Sequence, residues 1–412
     1  MKKLIYVTGD MNSFFVNEIQ TLVERFDNVH VLVYKGDQKK YDEIAKKYGF
    51  TYEEVSFKKN IVKNILTFIP WVFSHDVILE IKRKCKSENA IKKFCYIMFY
   101  GIYAASVKNQ IESVMGSDEI YLYSFWLSRP AYAISLFNLN RSKKIRKIVS
   151  RTHRYDLYEE ENVVSYLPFR KFINENLDVI YFISKDGLEY YTKKNYSDKK
   201  EKARYEISYL GTLDKDKISR IDDDKDEIVF ASCSYIMQRK RLDLIIKFLS
   251  SPAFKNMNIR WLHIGNGKSQ GQIEELAEKK LNIKYEFLGK IDNEQLFEVY
   301  RKEKVNFFIN MSDSEGVPVS AMEAMSVGIP VIARNVGGNA DLVKNGISGY
   351  LLDSNRIKRA DFNKIAKQVI RCVSNREDYN NLCNGAYDVW KKGFNAHDNM
   401  MKFCDELLSD NK

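Results

Sequence analysis

Residues 312–352 read SDSEGVPVSAMEAMSVGIPVIARNVGGNADLVKNGISGYLL, and they follow the apolar run VNFFIN at 305–310. That run reads as a strand. A polar loop holding Glu315 and Gly316 comes next. Pro318 suits the first turn of a helix, where its missing N–H costs nothing. The helical pattern VSAMEAM stops near Gly328, and Pro330 prevents its continuation. Pro330–Ala333 then reads as another strand. Strand, loop, helix, strand is the repeating unit of a parallel sheet covered by helices.

The same alternation extends outward. Strands fit at Ile228–Ser232, Ile259–Ile264 and Tyr285–Leu288, with helices at Leu242–Leu249, Gln270–Leu281, Gln295–Arg301 and Val319–Met325. Amphipathic helices at 361–374, 377–391 and 397–408 close the chain. Residues 213–227 are charged at 11 of 15 positions and have no apolar periodicity, which is the composition of a linker. Before it lies a second alternation. Its strands fit at Leu4–Thr8, Val29–Tyr34, Glu119–Trp126, Ile145–Ser150, Val179–Ser184 and Tyr205–Leu210, and its helices at Ser13–Phe26 and Tyr41–Tyr48. Residues 60–115 interrupt it with a long helical insert. The expected fold class is therefore α/β. Two doubly wound, Rossmann-like domains span 1–212 and 228–395, joined by a linker at 213–227. A terminal helix at 396–412 is expected to pack back on the first domain. Ligands of such sheets sit beyond the carboxyl ends of the strands, so the expected site is a cleft between the domains.

The 412 residues are 45% hydrophobic and 29% charged, which excludes a disordered chain. The net charge of +11 is unevenly spread: 18 basic and 6 acidic residues lie between Lys58 and Arg154. Nucleic acid, an anionic membrane or a phosphate-rich ligand would each answer such a surplus. No nucleic-acid motif accompanies it. Trp71, Phe73, Phe94, Tyr96, Phe99 and Tyr100 are interleaved with the bases. Two readings of residues 58–154 stay open: a surface for anionic headgroups with apolar anchors, or an ordinary insert with solvated lysines and core aromatics. The six cysteines form no C-x-x-C pair or Cys/His cluster and read as reduced thiols. The N-terminal apolar run is too short for a signal-peptide core. The longest apolar stretch, Cys95–Val107, is well short of the roughly 20 residues of a membrane span. The expected location is cytoplasmic, on or near the inner face of a membrane.

The loop before VSAMEAM aims backbone N–H groups into the crevice above the sheet, an anion site by geometry and dipole. A carboxylate at its mouth, Glu315, suits hydroxyl groups rather than phosphate. Glu323 follows eight residues later. Two glutamates at that spacing carry little information alone, but Glu323 lies in an otherwise apolar helix, where an unpaired carboxylate is costly. It suits a diol such as that of a ribose.

These residues resemble the signature of family 4 retaining glycosyltransferases of the two-domain GT-B type. There a Glu in an EG-x-P loop is followed eight residues on by a Glu in an LEAM-A-G-x-PV run. WLHIGNG (261–267), YEFLGKI (285–291) and GGNADLVKNGISGYLL (337–352) resemble further elements in the family's order. The likeness covers about 228–352, is looser over 150–212, and is weak before that apart from FFVNEI (14–19), which is similar to members that build bacterial capsular and exopolysaccharides.

The resemblance implies roles. Glu315 would contact donor-sugar hydroxyls and Glu323 the ribose. The amides at Gly316, Val317, Val319 and Ser320 would hold the diphosphate. In CSYIMQRKRLDLII (233–246), Lys240 matches a Lys that neutralises the leaving diphosphate, whereas Tyr235 stands where the family has Arg. Arg239 or Arg241 would substitute, or one cation works with helix amides. Gly289, Lys290 and Ile291 would bracket the base. Gly265 and Gly267 form a G-x-G turn, which a plain tight turn explains equally well. His153, after the strand KIVSRT, would approach the donor sugar. Asp10, Asn12, Arg151, Arg154 and Asp156 would line the acceptor side. Asp222–Asp224 contains D-x-D but follows no strand and reads as solvated charge, so no metal and no cofactor is expected.

The function implied is transfer of a sugar, with retention, from a nucleotide sugar, most simply a UDP-sugar, to a glycan or polyprenyl-diphosphate-linked acceptor. Two rivals are a nucleotide-sugar epimerase on the same fold and a non-catalytic basic binding protein.

Overall fold

Leu4, Ile5, Tyr6 and Val7 are all fully buried, as a strand covered on both faces requires. Alternate residues feed two separate cores: Ile5 and Val7 join one apolar cluster, Leu4 and Tyr6 the other. The computed structural model describes all residues except 35, 86–87, 163, 197–202, 219–226, 354–356 and 410–412. They form two units, Met1–Ser208 with His397–Lys412, and Tyr209–Ala396.

The first unit holds a seven-stranded parallel sheet in the order β3-β2-β1-β4-β5-β6-β7. Its strands are β1 Lys2–Thr8, β2 Asn28–Val33, β3 Thr51–Glu54, β4 Glu119–Ser124, β5 Ile145–Arg151, β6 Val179–Phe182 and β7 Arg204–Ile207. The helices are α1 Ser13–Arg25, α2 Gln38–Tyr48, α3 Ile61–Val72, α4 His75–Lys84, α5 Ala90–Val114, α6 Arg129–Ser135, α7 Arg154–Leu157, α8 Arg170–Asn176 and α9 Lys185–Lys194. The edge strand β3 was not expected, because TYEE is half-exposed and carries no apolar run.

The second unit holds a six-stranded parallel sheet in the order β10-β9-β8-β11-β12-β13. Its strands are β8 Glu227–Cys233, β9 Asn258–Ile264, β10 Lys284–Gly289, β11 Phe307–Asn310, β12 Val331–Arg334 and β13 Gly349–Leu352. The helices are α10 Leu242–Leu249, α11 Gln270–Lys280, α12 Asn293–Lys302, α13 Val319–Ser326, α14 Asn339–Leu342, α15 Arg359–Ser374 and α16 Arg376–Gly393. The short strand β13 was also unforeseen; it pairs with β12 in parallel from Gly349 to Leu352.

Both sheets reverse their winding once, between β1 and β4 and between β8 and β11. Ligands of doubly wound sheets bind at such switch points, beyond the strands' carboxyl ends. The chain closes with α17, Ala396–Leu408. Met400, Phe403, Cys404 and Leu407 of that helix pack into the first unit's core with Tyr6 and Tyr123.

The charged segment 213–227 is a linker only in part. Asp214 pairs with Lys391 at 2.6 Å, and Lys217 lies over the Tyr387 ring, so these residues belong to the second unit. Residues 219–226, including Asp222–Asp224, lie outside the described residues, and Glu227 opens β8.

Candidate functional site

At the β8/β11 switch point two loops meet. After β8 the chain passes through one 3-10 turn, Gln238–Lys240, into Arg241, which adopts left-handed φ 49°. That conformation strains a non-glycine residue. Its guanidinium is held in place by Asp243 at 2.9 Å and by Asp313 at 2.9 Å. Arg334, buried at the end of β12, also grips Asp313 and donates to the carbonyls of Met311 and Ser312. The Asp313 N–H donates to the Arg239 carbonyl at 2.9 Å. Two arginines on one aspartate thus lock the loop after β11 to the loop after β8. Arg241 is engaged in this brace, which leaves Arg239, or one cation with helix amides, of the alternatives for the position of Tyr235.

The brace places Glu315 against Lys240. Lys240 Nζ lies 2.6 Å from Glu315 Oε1, and Asn310 Nδ2 donates to the same oxygen at 3.3 Å. Both charged side chains are largely shielded, at 20% and 11% exposure, so the pair interacts through a medium less polar than water. From below, two glycines clamp the loop. A Cβ on Gly337 would stand 1.9 Å from the Glu315 carbonyl, and one on Gly338 would stand 2.0 Å from the Gly316 carbonyl. Gly338 N–H donates to that Gly316 carbonyl at 2.6 Å.

Pro318 precedes α13 rather than occupying its first turn; its carbonyl accepts from Ala321 and Met322. The N–H groups of Gly316, Val317, Val319 and Ser320 have no acceptor among the described residues. They lie in the loop after Glu315 and in the first turn of α13, where free N–H groups and the positive end of the helix dipole suit an anion. The helix stops as its sequence requires: Gly328 takes φ 81° and Ile329 N–H bonds back to Ala324.

Glu323 is the fifth residue of α13. Burial pushes its carboxyl up to about 7, against an opposing hydrogen bond from Asn293 Nδ2 at the start of α12. A half-buried carboxyl with one amide partner keeps acceptor capacity for a hydroxyl pair. Gly265 and Gly267 prove to be packing glycines. A Cβ on either would meet the backbone of Ser234 or Ile236 at 2.0 and 2.3 Å, so they let the β9 loop lie against the Lys240 loop. Gly289 is left-handed with open space around it, Lys290 is exposed, and Ile291 is half-buried beside the second unit's core.

In the first unit, the β1/β4 switch point opens into a pocket of about 290 Å³. Asp10, Tyr34, Tyr96, Trp126, Arg129 and Asp156 are among its lining residues. The Arg129 guanidinium lies 5.3 Å from the centre of the Tyr34 ring. Tyr34 and Trp126 were not singled out from the sequence as site residues, although they lie one and two residues beyond the ends of β2 and β4. Asn12 is spent as the cap of α1, accepting from Phe14 and Phe15 at 3.0 and 3.1 Å, while its amide donates to Asp10.

Asp156 is buried and structural in its contacts. It accepts from the N–H groups of His153 and Leu127, and burial pushes its pKa to about 7. The His153 ring lies 4.1 Å from the Phe125 ring and 4.6 Å from that of Trp126. Burial, reinforced by the charge of Arg151, holds this imidazole well below its usual pKa, so it is neutral at pH 7. Arg154 pairs with Glu161 and lies over Tyr158. Arg151 lines no acceptor surface, a correction. It is 1% exposed, pairs with the buried Glu18 of FFVNEI, and lies over Phe403 of α17. Tyr6 and Tyr123 donate to the same Glu18 at 2.8 and 3.1 Å, so the pair ties α1, the sheet and α17 together.

Among the described residues, no cluster of three or more His, Cys, Asp or Glu side chains could hold a metal. The six cysteines are free thiols.

Comparison with known proteins bears on the second unit most directly. Residues 214–389 match the family model of glycosyl transferases group 1. Over 225 residues the chain is 27% identical to the uncharacterized glycosyltransferase MJ1178 of Methanocaldococcus jannaschii, covering 55% of this chain and 58% of that one. It is 30% identical over 112 residues to the O-antigen biosynthesis glycosyltransferase WclY of Escherichia coli, covering 27% and 30%. The chain thus spans about three fifths or less of the length of these relatives. The crystal structure of Anabaena Alr3699/HepE in complex with UDP superposes with a TM-score of 0.64 at 14% identity, over 99% of both chains. The chain therefore has the GT-B fold, and its residues 214–389 carry the sequence pattern of the glycosyl transferases group 1.

Proposed function

We propose that the protein is a retaining glycosyltransferase. It moves a sugar from a nucleotide diphosphate sugar, a UDP-sugar in our reading, to a hydroxyl of a glycan or lipid-linked oligosaccharide in surface polysaccharide synthesis. The observation that carries this is the meeting of Lys240 and Glu315, 2.6 Å apart, beside four unpartnered N–H groups at the start of α13. The glycosyl transferases group 1 match includes all of these residues. The WclY name supports the pathway class, and the UDP bound by HepE supports the nucleotide.

In this reading the diphosphate rests on the amides of Gly316, Val317, Val319 and Ser320, with Lys240 as the point charge. Glu323 accepts from the ribose hydroxyls and Glu315 from those of the sugar. The bond from the anomeric carbon to the diphosphate oxygen breaks and its electrons leave with the phosphate. The acceptor hydroxyl oxygen bonds to the same face of that carbon, and its proton passes to the departing phosphate oxygen. Charge grows on the diphosphate as the bond breaks, so a fixed cation and oriented amides bind the transition state better than the donor. In this scheme Lys240 and the amides carry that stabilisation without a metal, and activity in chelator tests the point.

The test is turnover of UDP-sugars by wild type, Glu315→Ala and Lys240→Ala. Removing Lys240 should lower kcat by about 10²–10³, the scale seen for one preorganised electrostatic group. Unchanged turnover in both variants would sink the assignment. Conversion of donor without acceptor would instead favour an epimerase.

A further inference from the structure

Helix α3 is apolar on both sides: Trp71 is buried, and Phe68 and Val72 pack against the first unit's core. Its inward face carries Asn64 and Thr67, which bond to Asn109 of α5 at 2.8 and 3.2 Å. Its outward face carries Ile61, Val62, Ile65, Leu66 and Ile69, which are 41–69% exposed, and Phe73 follows at 73%. At 3.6 residues per turn these six positions fall within about 140° of one side. The aromatics of the insert divide the same way. Trp71 and Tyr100 are core, while Phe73, Phe94 and Phe99 are exposed. A contiguous apolar face of this size is uncommon on a protein with nothing to cover it.

The flanking charge identifies the cover. Ten basic and four acidic residues lie between Lys58 and Val114. Lys58, Lys82, Arg83 and Lys92 of the same insert are exposed. A second copy of the chain is a poor occupant, because a two-fold contact would set this basic patch against itself. By length and composition α3 and α4 could reach across a bilayer only as a pair, and they are sharply bent against each other, by 63°. No single helix among the described residues is long and apolar enough. The 12 residues of α3 span about 18 Å against a hydrocarbon core of about 30 Å.

We infer that α3, with the bend at Phe73 and the exposed residues of α5, lies in the interface of an anionic bilayer, its aliphatic side chains among the acyl chains and the insert's exposed bases on the headgroups. The inference is independent of the proposed activity.

The experiment is flotation of the full chain with vesicles of phosphatidylcholine alone and of phosphatidylcholine mixed with phosphatidylglycerol. Wild type should float with the anionic vesicles and be released by salt. Leu66→Glu/Ile69→Glu should bind at least about tenfold more weakly, since each side chain forfeits its transfer into apolar surroundings. Lys82→Glu/Arg83→Glu should lose binding to anionic vesicles selectively. Hydrogen exchange of wild type should slow over residues 61–73 on addition of anionic vesicles, a readout that needs no variant. Failure of wild type to float, flotation of Leu66→Glu/Ile69→Glu equal to wild type, or unchanged exchange would each overturn the inference. So would a dimer in sedimentation velocity that the same double variant abolishes.

Discussion

Glu323→Gln separates what this carboxylate costs the fold from what it gives the site. The folded carboxyl titrates at about 7, raised by burial from the ordinary 4.5. Between these two values the folded chain keeps its proton while the unfolded chain releases it, so stability falls as pH rises. The drop begins near pH 4.5 and is complete above about 7. At 1.36 kcal/mol per pKa unit it amounts to about 3 kcal/mol. Glutamine has nearly the same shape and carries no charge. Its amide oxygen can still accept from Asn293, so the variant should show no such drop. Denaturant melts of both proteins should therefore agree near pH 4.5 and diverge to about 3 kcal/mol in the variant's favour at pH 8. Donor binding should move the other way. A neutral acceptor holds a hydroxyl less strongly than a carboxylate, by about 1–2 kcal/mol, so the Kd for UDP should rise roughly tenfold. A stability difference that does not change with pH would refute the burial argument. An unchanged Kd for UDP would refute the ribose role and leave the burial argument standing.

Gly338→Ala places a methyl group 2.0 Å from the Gly316 carbonyl and must displace the loop that carries Glu315. Turnover should fall at least about tenfold, as expected when a reacting group is misplaced by about an ångström; wild-type kinetics would show that the glycine pair does not position the site. Arg151→Met leaves the Glu18 carboxylate buried without its cation, which should cost about 3–5 kcal/mol in chemical denaturation. The double variant Glu18→Gln/Arg151→Met should recover most of that loss, and a single variant as stable as the double would contradict the ion-pair reading.

Much of the architecture was legible because it rests on periodicity. Buried parallel strands announce themselves as short apolar runs, and α10, Leu242–Leu249, matches its expected bounds. The strands missed, β3 and β13, are four residues long, and their strand character comes from a neighbour's hydrogen bonds rather than from their own composition. Pairing partners are not local information. The same limit explains Arg151. Its position after a strand marks it as a candidate at the carboxyl end of the sheet. Its buried partners, Glu18 and Phe403, are 133 and 252 residues away, and no spacing rule reveals them.

The candidate site divides along the same line. By itself the sequence determined that Glu315, Glu323 and a proline-led helix follow one strand, because loop composition and helix punctuation are written within a few residues. Only the tertiary structure decided what those groups do for one another. Of two neighbouring arginines it turned Arg241 into a brace, because the fold brings Asp243 and Asp313 both within 2.9 Å of its guanidinium. It set Lys240 on Glu315 and made Gly337 and Gly338 the floor beneath them, because a backbone can approach that closely only where no Cβ stands between. On α3 it left Ile61, Val62, Ile65, Leu66 and Ile69 exposed and set Asn64 against Asn109 of another helix, a pairing that no local pattern reveals.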